Sequence, residues 1–437
     1  MLISRIFVRV LGLTLVLFLV APLHAQQNNF LQFSGHARTW SFTTINNGST
    51  DDYYASALAA RLRAATRPVK GISFEVEGSA FTSILPFSPD LEYLKDSRFE
   101  KQLFSTTNGT TTAQGGMITR LLARYSSKKV TLIIGRQELK TPLVQPHDGR
   151  MDEKLLEGVT FKWIPDSLWT IHVGWYWGAT PRSSWNWQSV EHAIGQYGQG
   201  KTPWGTSGKY AGNTSSTGLG YFSIGRHKAK WNIDLHNYFL ENISHTALLE
   251  TTYGVQRYGK LMVIQQFQIG NGGNADTLLQ YHTAGDQATA FSLLMGQKWS
   301  NWTLELIGTY IGGKGRYLFP RELSFDPFYA TTTRFPIEGL GHVMQGGLRA
   351  VWKYKNTSVK AQYVFSKNPE VTDYEHSKTG LPTSHVLLAD ARTKWTFSGV
   401  RFQTRLIYLY TRATEATVGF RNKSNFHHMA LGLAIQF

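Results

Sequence analysis

The chain has 437 residues, no cysteine and a formal charge of +16, with a mean hydropathy of −0.25. The missing thiols exclude disulfides, thiolate metal sites and a lipidated cysteine anchor. Beyond one short stretch near the start, no run approaches the roughly 20 apolar residues of a membrane-crossing helix. Yet aromatics reach 13%, with 20 Tyr, 13 Trp and 25 Phe, a combination that suits a barrel whose apolar band is hidden by alternation.

Arg5 and Arg9 precede an apolar run over 10–23, and Leu23-His24-Ala25 offers a small residue before Gln26. This reads as a secretory signal peptide over 1–25, too short and wrongly flanked for a membrane anchor. Residues 26–437 then form one domain, since no Pro- or Ser-rich linker divides them. Without the two leader arginines the charge is +14. The charges recur singly at alternate positions rather than in runs. No helix-turn-helix pattern or zinc spacing accompanies them, so a nucleic-acid partner is not expected.

Alternating segments follow at 30–45, 53–67, 70–84, 116–127, 128–139, 155–165, 167–180, 217–228, 229–242, 245–258, 260–270, 287–299, 301–312, 342–354, 356–367, 384–397, 399–412 and 426–437. Their number, eighteen, is even, and each is about as long as a tilted membrane strand requires. The expected fold is therefore all-β, a transmembrane antiparallel barrel. Tight turns at Lys128-Lys129, Pro165-Asp166-Ser167, Ser300-Asn301, Asn356-Thr357 and Ser398-Gly399 alternate with long connections over 85–115, 183–216, 314–341 and 413–425. In outer-membrane barrels short turns face the periplasm and long loops the outside. The Thr/Gly-rich stretch 105–116 should be solvated.

Period-two alternation assigns the faces. Phe402, Leu406, Tyr408 and Tyr410 face lipid, which turns Arg401 and Arg405 inward. Leu387, Ala389, Trp395 and Phe397 do the same for Asp390, Arg392 and Lys394. Leu348, Trp352 and Tyr354 oppose Arg349 and Lys353; Leu58 and Leu62 oppose Arg61 and Arg63; Met117, Leu121 and Tyr125 oppose Arg120 and Arg124. A charge facing lipid at mid-membrane costs about 2–4 kcal/mol, so the inward choice is strong. Singly, such arginines can solvate a lumen and pair with loop carboxylates. As a set they form a ladder of guanidinium groups suited to carboxylates at successive depths, and weak successive sites permit release as well as capture.

The most specific stretch is Gly135-Arg136-Gln137-Glu138-Leu139-Lys140-Thr141-Pro142-Leu143-Val144-Gln145-Pro146-His147-Asp148-Gly149-Arg150-Met151, continuing to Leu156-Glu157-Gly158. It resembles the segment after the fifth strand in the OprD family of outer-membrane porins. The resemblance implies an 18-stranded barrel in which this loop folds into the lumen as a constriction. It would place Arg136, His147, Asp148 and Arg150 at or beside the narrowing, with Pro142 and Pro146 ending the strand. It also implies passive diffusion of small hydrophilic solutes, often carboxylate-bearing, along a basic ladder facing acidic loop residues. Asp326 and Glu338 are candidates for that acidic side. The loops 183–216 and 314–341 match no motif of the family, and neither catalysis nor a cofactor is implied.

Two decoys are set aside. Gly195-Gln196-Tyr197-Gly198-Gln199-Gly200-Lys201-Thr202 spells a phosphate loop, but Pro203-Trp204-Gly205 follows where a helix should begin. Among the fourteen histidines, His36, His227, His236 and His428 are candidates for a surface hydrolase, but no Gly-x-Ser-x-Gly elbow or metal spacing supports one. A loop-plugged structural or adhesin barrel is the other alternative, supported by Trp185, Trp187 and Trp204. The final strand alternates Met429, Leu431, Leu433 and Ile435 with small or polar residues and ends on Phe437. It resembles the terminal strand by which assembly machinery reads bacterial outer-membrane barrels. That location brings outer-membrane lipid and lipopolysaccharide as further partners, and a homotrimer is compatible with it.

Overall fold

The computed structural model describes residues 30–47, 50–84, 90–107, 110–146, 150–181, 184–196, 202, 205–206, 208–270, 280–414 and 425–437. The leader, His147 and Asp148 lie outside the described residues. Eighteen antiparallel strands close into a barrel. They are β1 (Leu31–Asn46), β2 (Tyr53–Thr66), β3 (Ile72–Ser83), β4 (Gln114–Ser126), β5 (Val130–Gln137), β6 (Leu155–Trp163), β7 (Trp169–Thr180), β8 (Leu219–Lys228) and β9 (Trp231–Leu240). There follow β10 (Ser244–Gly254), β11 (Arg257–Gln268), β12 (Gln287–Trp299), β13 (Trp302–Gly312), β14 (Val343–Tyr354), β15 (Thr357–Lys367), β16 (Ser384–Phe397), β17 (Val400–Ala413) and β18 (Phe426–Gln436).

Each strand pairs with the next along the chain, and β18 pairs with β1 from His36↔Gln436 to Asn46↔Phe426. Just beyond, Gly35 N donates to Phe437 O at 2.9 Å and Phe437 N returns a bond to Gly35 O at 3.0 Å. Closure means that neither terminal strand of the sheet is left as an open border, a condition for any sheet placed in lipid.

Alternation decides which side chains meet lipid. In β18, Met429 and Leu431 are exposed while Phe426, His428 and Ala430 are buried within the barrel. Seven tryptophans stand outward near the short turns: Trp163, Trp169, Trp231, Trp299, Trp302, Trp352 and Trp395, with Trp299↔Trp302↔Trp352 directly in register. Tyr54, Trp175, Phe239, Tyr310 and Tyr363 are exposed toward the opposite end. From Trp302 to Tyr310 is about 27 Å of tilted strand, on the scale of a membrane's apolar core. The short turns use left-handed residues that let paired strands keep their twist. Ser398 (φ 49) and Gly399 (φ 81) are an instance, the glycine accepting a conformation most residues resist.

Described parts of the 84–113, 138–154 and 313–342 connections fold back into the barrel and bury apolar residues there. One cluster joins Leu139, Leu143 and Val144 to Tyr238, and to Tyr317, Leu318 and Phe319 of the 313–342 connection. A second joins Leu94, Phe99 and Leu103 of the 84–113 connection to Trp40, Phe42, Ile407 and Leu409 of the wall. These clusters lie inside the barrel, so its interior resembles a globular core toward the long loops.

Two expectations are corrected here. The low-complexity stretch contains a hairpin, with Ser105–Thr107 pairing Thr110–Thr112. Met117 does not share the lipid face with Leu121 and Tyr125: the β3/β4 register shifts at Glu77/Gly78, leaving Thr119 as an extra residue. Such a bulge reverses the facing of everything beyond it. Ile118 therefore meets lipid and Met117 packs inward against the second cluster.

Candidate solute pathway

A cavity of about 780 Å³ runs from Asn356 and Thr396 at the short turns up to Glu138 and Glu153 of the infolded 138–154 connection. Nine cations line it (Arg38, Arg61, Arg63, Arg120, Arg124, Lys140, Lys394, Arg401 and Arg405) against four carboxylates, Glu75, Glu77, Glu138 and Glu153. The wall is contributed by β1–β4 and β16–β18, strands from the two ends of the chain that closure brings together. β18 supplies small inward residues there. Gly432 makes room for the Trp40 ring, which a Cβ would meet at 2.8 Å, and the Arg405 guanidinium stands 6.0 Å from that ring's centre.

On the β1–β4 side, the cations hold the infolded loop. Arg61 Nη2 is 2.7 Å from Asp152, and its Nη1 is 3.5 Å from Glu153. Arg120 pairs with Glu138, with Glu153 at 3.3 Å and with Glu77 at 3.4 Å. Arg63 reaches Glu75 at 2.6 Å, and Arg38 Nη1 donates to Arg150 O at 2.9 Å. Partly buried guanidinium groups need such compensation, and it fastens the loop to the wall.

On the opposite side, the carboxylate of Asp390 accepts from Arg405 Nε at 3.0 Å and Nη2 at 2.8 Å. It also lies 3.3 Å from Arg392 and 3.9 Å from Lys360. Arg349 pairs with Glu305, which also accepts from the Tyr258 hydroxyl. Arg124, Lys353, Lys394 and Arg401 form no ion pair among the described residues. The cavity thus brings together Arg61, Arg63, Arg120, Arg124, Lys394, Arg401 and Arg405. Arg349, Lys353 and Arg392 do not line it.

The 138–154 connection is anchored deep in the barrel: Leu143 N donates to Tyr238 Oη at 3.3 Å, and Phe325 N to Leu143 O at 2.7 Å. Pro142 begins its turn, with Thr141 N bonded to Val144 O at 2.8 Å. Arg150 lines a second gap where the 84–113, 138–154 and 313–342 connections meet, together with Gln102, Arg321, Asp326, Thr332 and Arg334. That gap holds only about 60 Å³, room for about two waters. Arg334 is fastened beside it, donating to His428 and lying 4.0 Å over Phe42.

Three site expectations change. Arg136 is not at the constriction: it is the register partner of Leu121 and Glu157 and shares their outward face. It pairs with Glu157 at 2.9 Å and lies 4.5 Å under Trp187. β5 pairs with β4 only from Leu121 downward, so the Ile118 carbonyl has no strand partner on that edge. Arg136 Nη1 at 3.1 Å and Trp187 Nε1 at 2.8 Å donate to it instead. Asp326 and Glu338 do not face the basic strip. Asp326 accepts from Ile337 N and Glu338 N within its own loop, and Glu338 lies 3.7 Å from Lys378. The carboxylates that do face it include Glu75 and Glu77, whose alternation with Phe74 and Val76 is a signal readable in the sequence.

No family model matches the chain, and no curated protein does. Solved structures do. Pseudomonas aeruginosa OccK9 (OpdG) superposes at a TM-score of 0.70 with 11% identity, over 93% of this chain and 98% of that one. Acinetobacter baumannii OccAB4 gives 0.68 with 12% identity, over 95% and 100%. Pseudomonas aeruginosa OpdK, solved with vanillate, gives 0.68 with 11% identity, over 93% and 98%. This is the OprD-family fold. The shared barrel architecture spans 93–95% of this chain, and described parts of the 84–113, 138–154 and 313–342 connections pack inside it.

Proposed function

We propose that the chain is a passive outer-membrane channel for small hydrophilic solutes, with preference for those carrying a carboxylate. The observation that carries this reading is the cavity's excess of cations, nine against four carboxylates, with Arg124, Lys394 and Arg401 lacking ion-pair partners among the described residues. Clefts lined by one sign of charge concentrate counter-ions at their mouths, and partly wet guanidinium groups bind carboxylates without holding them fast. That OpdK was solved with vanillate, an aromatic carboxylate, supports the same class of solute. The infolded 138–154 loop sets the size limit, and the strand ending in Phe437 serves as the address for barrel assembly.

The roughly 60 Å³ gap between the three connections favours a second reading, a plugged structural or adhesin barrel. Single-channel recording in a planar bilayer under a salt gradient separates the two. Discrete openings with an anion-selective reversal potential support the channel. Silence from verified folded protein supports the plug.

A further inference from the structure

The outward faces of the strands are mostly apolar, but four basic or titratable side chains stand together on adjacent strands at the long-loop rim. Lys367 ends β15, His385 is second in β16, Arg412 is next to last in β17, and His427 is second in β18. All four face outward, because their sequence neighbours Ser366, Ser384, Thr411 and His428 are buried inside. The register ties them together: Phe365 opposes His385, His385 opposes Arg412, and Tyr410 opposes His427. Three strand spacings of about 4.8 Å make the row about 14 Å wide, the scale of a large glycolipid headgroup.

The row is local and of one sign. No carboxylate occupies a described outward position on these four strands, and on the flanking strands the outward rim positions are Met344 and Ile45. Lys367 and Arg412 have no ion pair among the described residues. Each histidine is steadied by a phenol: Tyr363 Oη lies 2.7 Å from His385 Nδ1, and Tyr408 Oη lies 2.8 Å from His427 Nδ1. In the tautomer where the phenol donates, each Nε2 carries a proton and is a donor. Directly beneath come exposed Leu387 and Met429 on the lipid-facing wall, with Leu406 and Leu431 further down.

We infer that the rim of β15–β18 is a docking site for a phosphate-bearing glycolipid headgroup of the outer leaflet, its acyl chains lying on the apolar wall below. A guanidinium, an ammonium and two imidazoles match the several oxygens of a phosphate. The aromatic belt sets the row at headgroup depth, where each basic residue strengthens attraction to anionic lipid. The site is on the outer wall, so it stands or falls independently of conduction through the lumen.

Native mass spectrometry of the purified full-length barrel in neutral detergent tests it, with bisphosphorylated lipid A and dephosphorylated lipid A as probes. The phosphorylated form should be retained preferentially. Lys367→Gln and Arg412→Gln should each weaken it about fivefold, and the double variant about 25-fold. Lys128→Gln with Lys129→Gln, at the opposite rim, should leave it unchanged. Heat-modifiable gel migration verifies that each variant is folded. Equal retention of the two lipids, or full retention by a folded double variant, overturns the proposal. Displacement of the lipid by millimolar inorganic phosphate also overturns it, marking a free-anion site instead.

Discussion

Arg405 and Asp390 face one another from neighbouring strands with one edge of the guanidinium engaged in two bonds, Nε at 3.0 Å and Nη2 at 2.8 Å. Asp390 is the carboxylate against which Arg392 and Lys360 also lean, so it damps the positive field of that wall while fixing Arg405 in place. Asp390→Asn should lower stability by about 3 kcal/mol, because a buried guanidinium loses its counter-charge. It should also strengthen anion preference. Urea unfolding and reversal potential measure the two effects, and an unaltered reversal potential would place this wall outside the ion path.

Arg401 and Lys394 offer the converse case. Both are exposed in the cavity and form no ion pair among the described residues, so Arg401→Gln with Lys394→Gln should change stability by no more than about 0.5 kcal/mol. Anion preference should nonetheless fall. A double variant that keeps the selectivity of the parent would show that these side chains do not touch the permeating ion.

Arg61 works mechanically. Its contacts with Asp152 and Glu153 hold the end of the infolded loop, and Arg61→Gln should loosen it. The expected result is higher single-channel conductance with more frequent flicker. Conductance identical in mean and noise would mean that the loop is held by its apolar anchors alone.

Gly135 is constrained by backbone. Its φ is +115, and a Cβ there would stand 2.1 Å from the Leu121 carbonyl oxygen, a contact that no side-chain rotation relieves. Gly135→Ala should therefore destabilise the barrel by about 3 kcal/mol. A heat-modifiability assay showing the parent's unfolding temperature would contradict this.

Burial pushes the Asp326 carboxyl up to about 6, opposed by the charge of Arg321 and by the Ile337 and Glu338 amides. The folded value exceeds the unfolded one, so the associated stability is fully present below about pH 3.8 and is lost as pH rises through 6. Hydrogen exchange in 326–338 should thus slow as pH drops from 7 to 5, after correction for intrinsic rates. Asp326→Asn should abolish that dependence, and a segment equally protected across the range would refute it.

All eighteen strands are legible in the sequence, because lipid on one side and lumen on the other impose period two on every one of them. Legibility fails where that period breaks. The extra residue at Thr119 turns Met117 inward, and nothing in the local sequence marks the bulge. Resemblance places Arg136 at the constriction, whereas counting forward from Leu132 and Ile134, both exposed, puts it outward. The lumen core is hidden for a different reason: Tyr317-Leu318-Phe319 sits in a segment with no alternation, and only its apolar character hints that the loop is swallowed. Pairing of Arg61 with Asp152 depends on how that loop returns to the wall, which spacing alone does not encode.

The bonds between Gly35 and Phe437 join residues about 400 apart along the chain, whereas each of the other strand junctions links consecutive strands. Contact order is therefore very uneven, and the β1–β18 ladder joins the residues most widely separated in sequence of any strand junction. Until that ladder zips, the nascent sheet has two open borders able to recruit foreign strands. The basic wall, assembled from β1–β4 and β16–β18, does not exist before that step. The one-signed stretch of this barrel's wall is thus completed last, by the same event that closes its open borders.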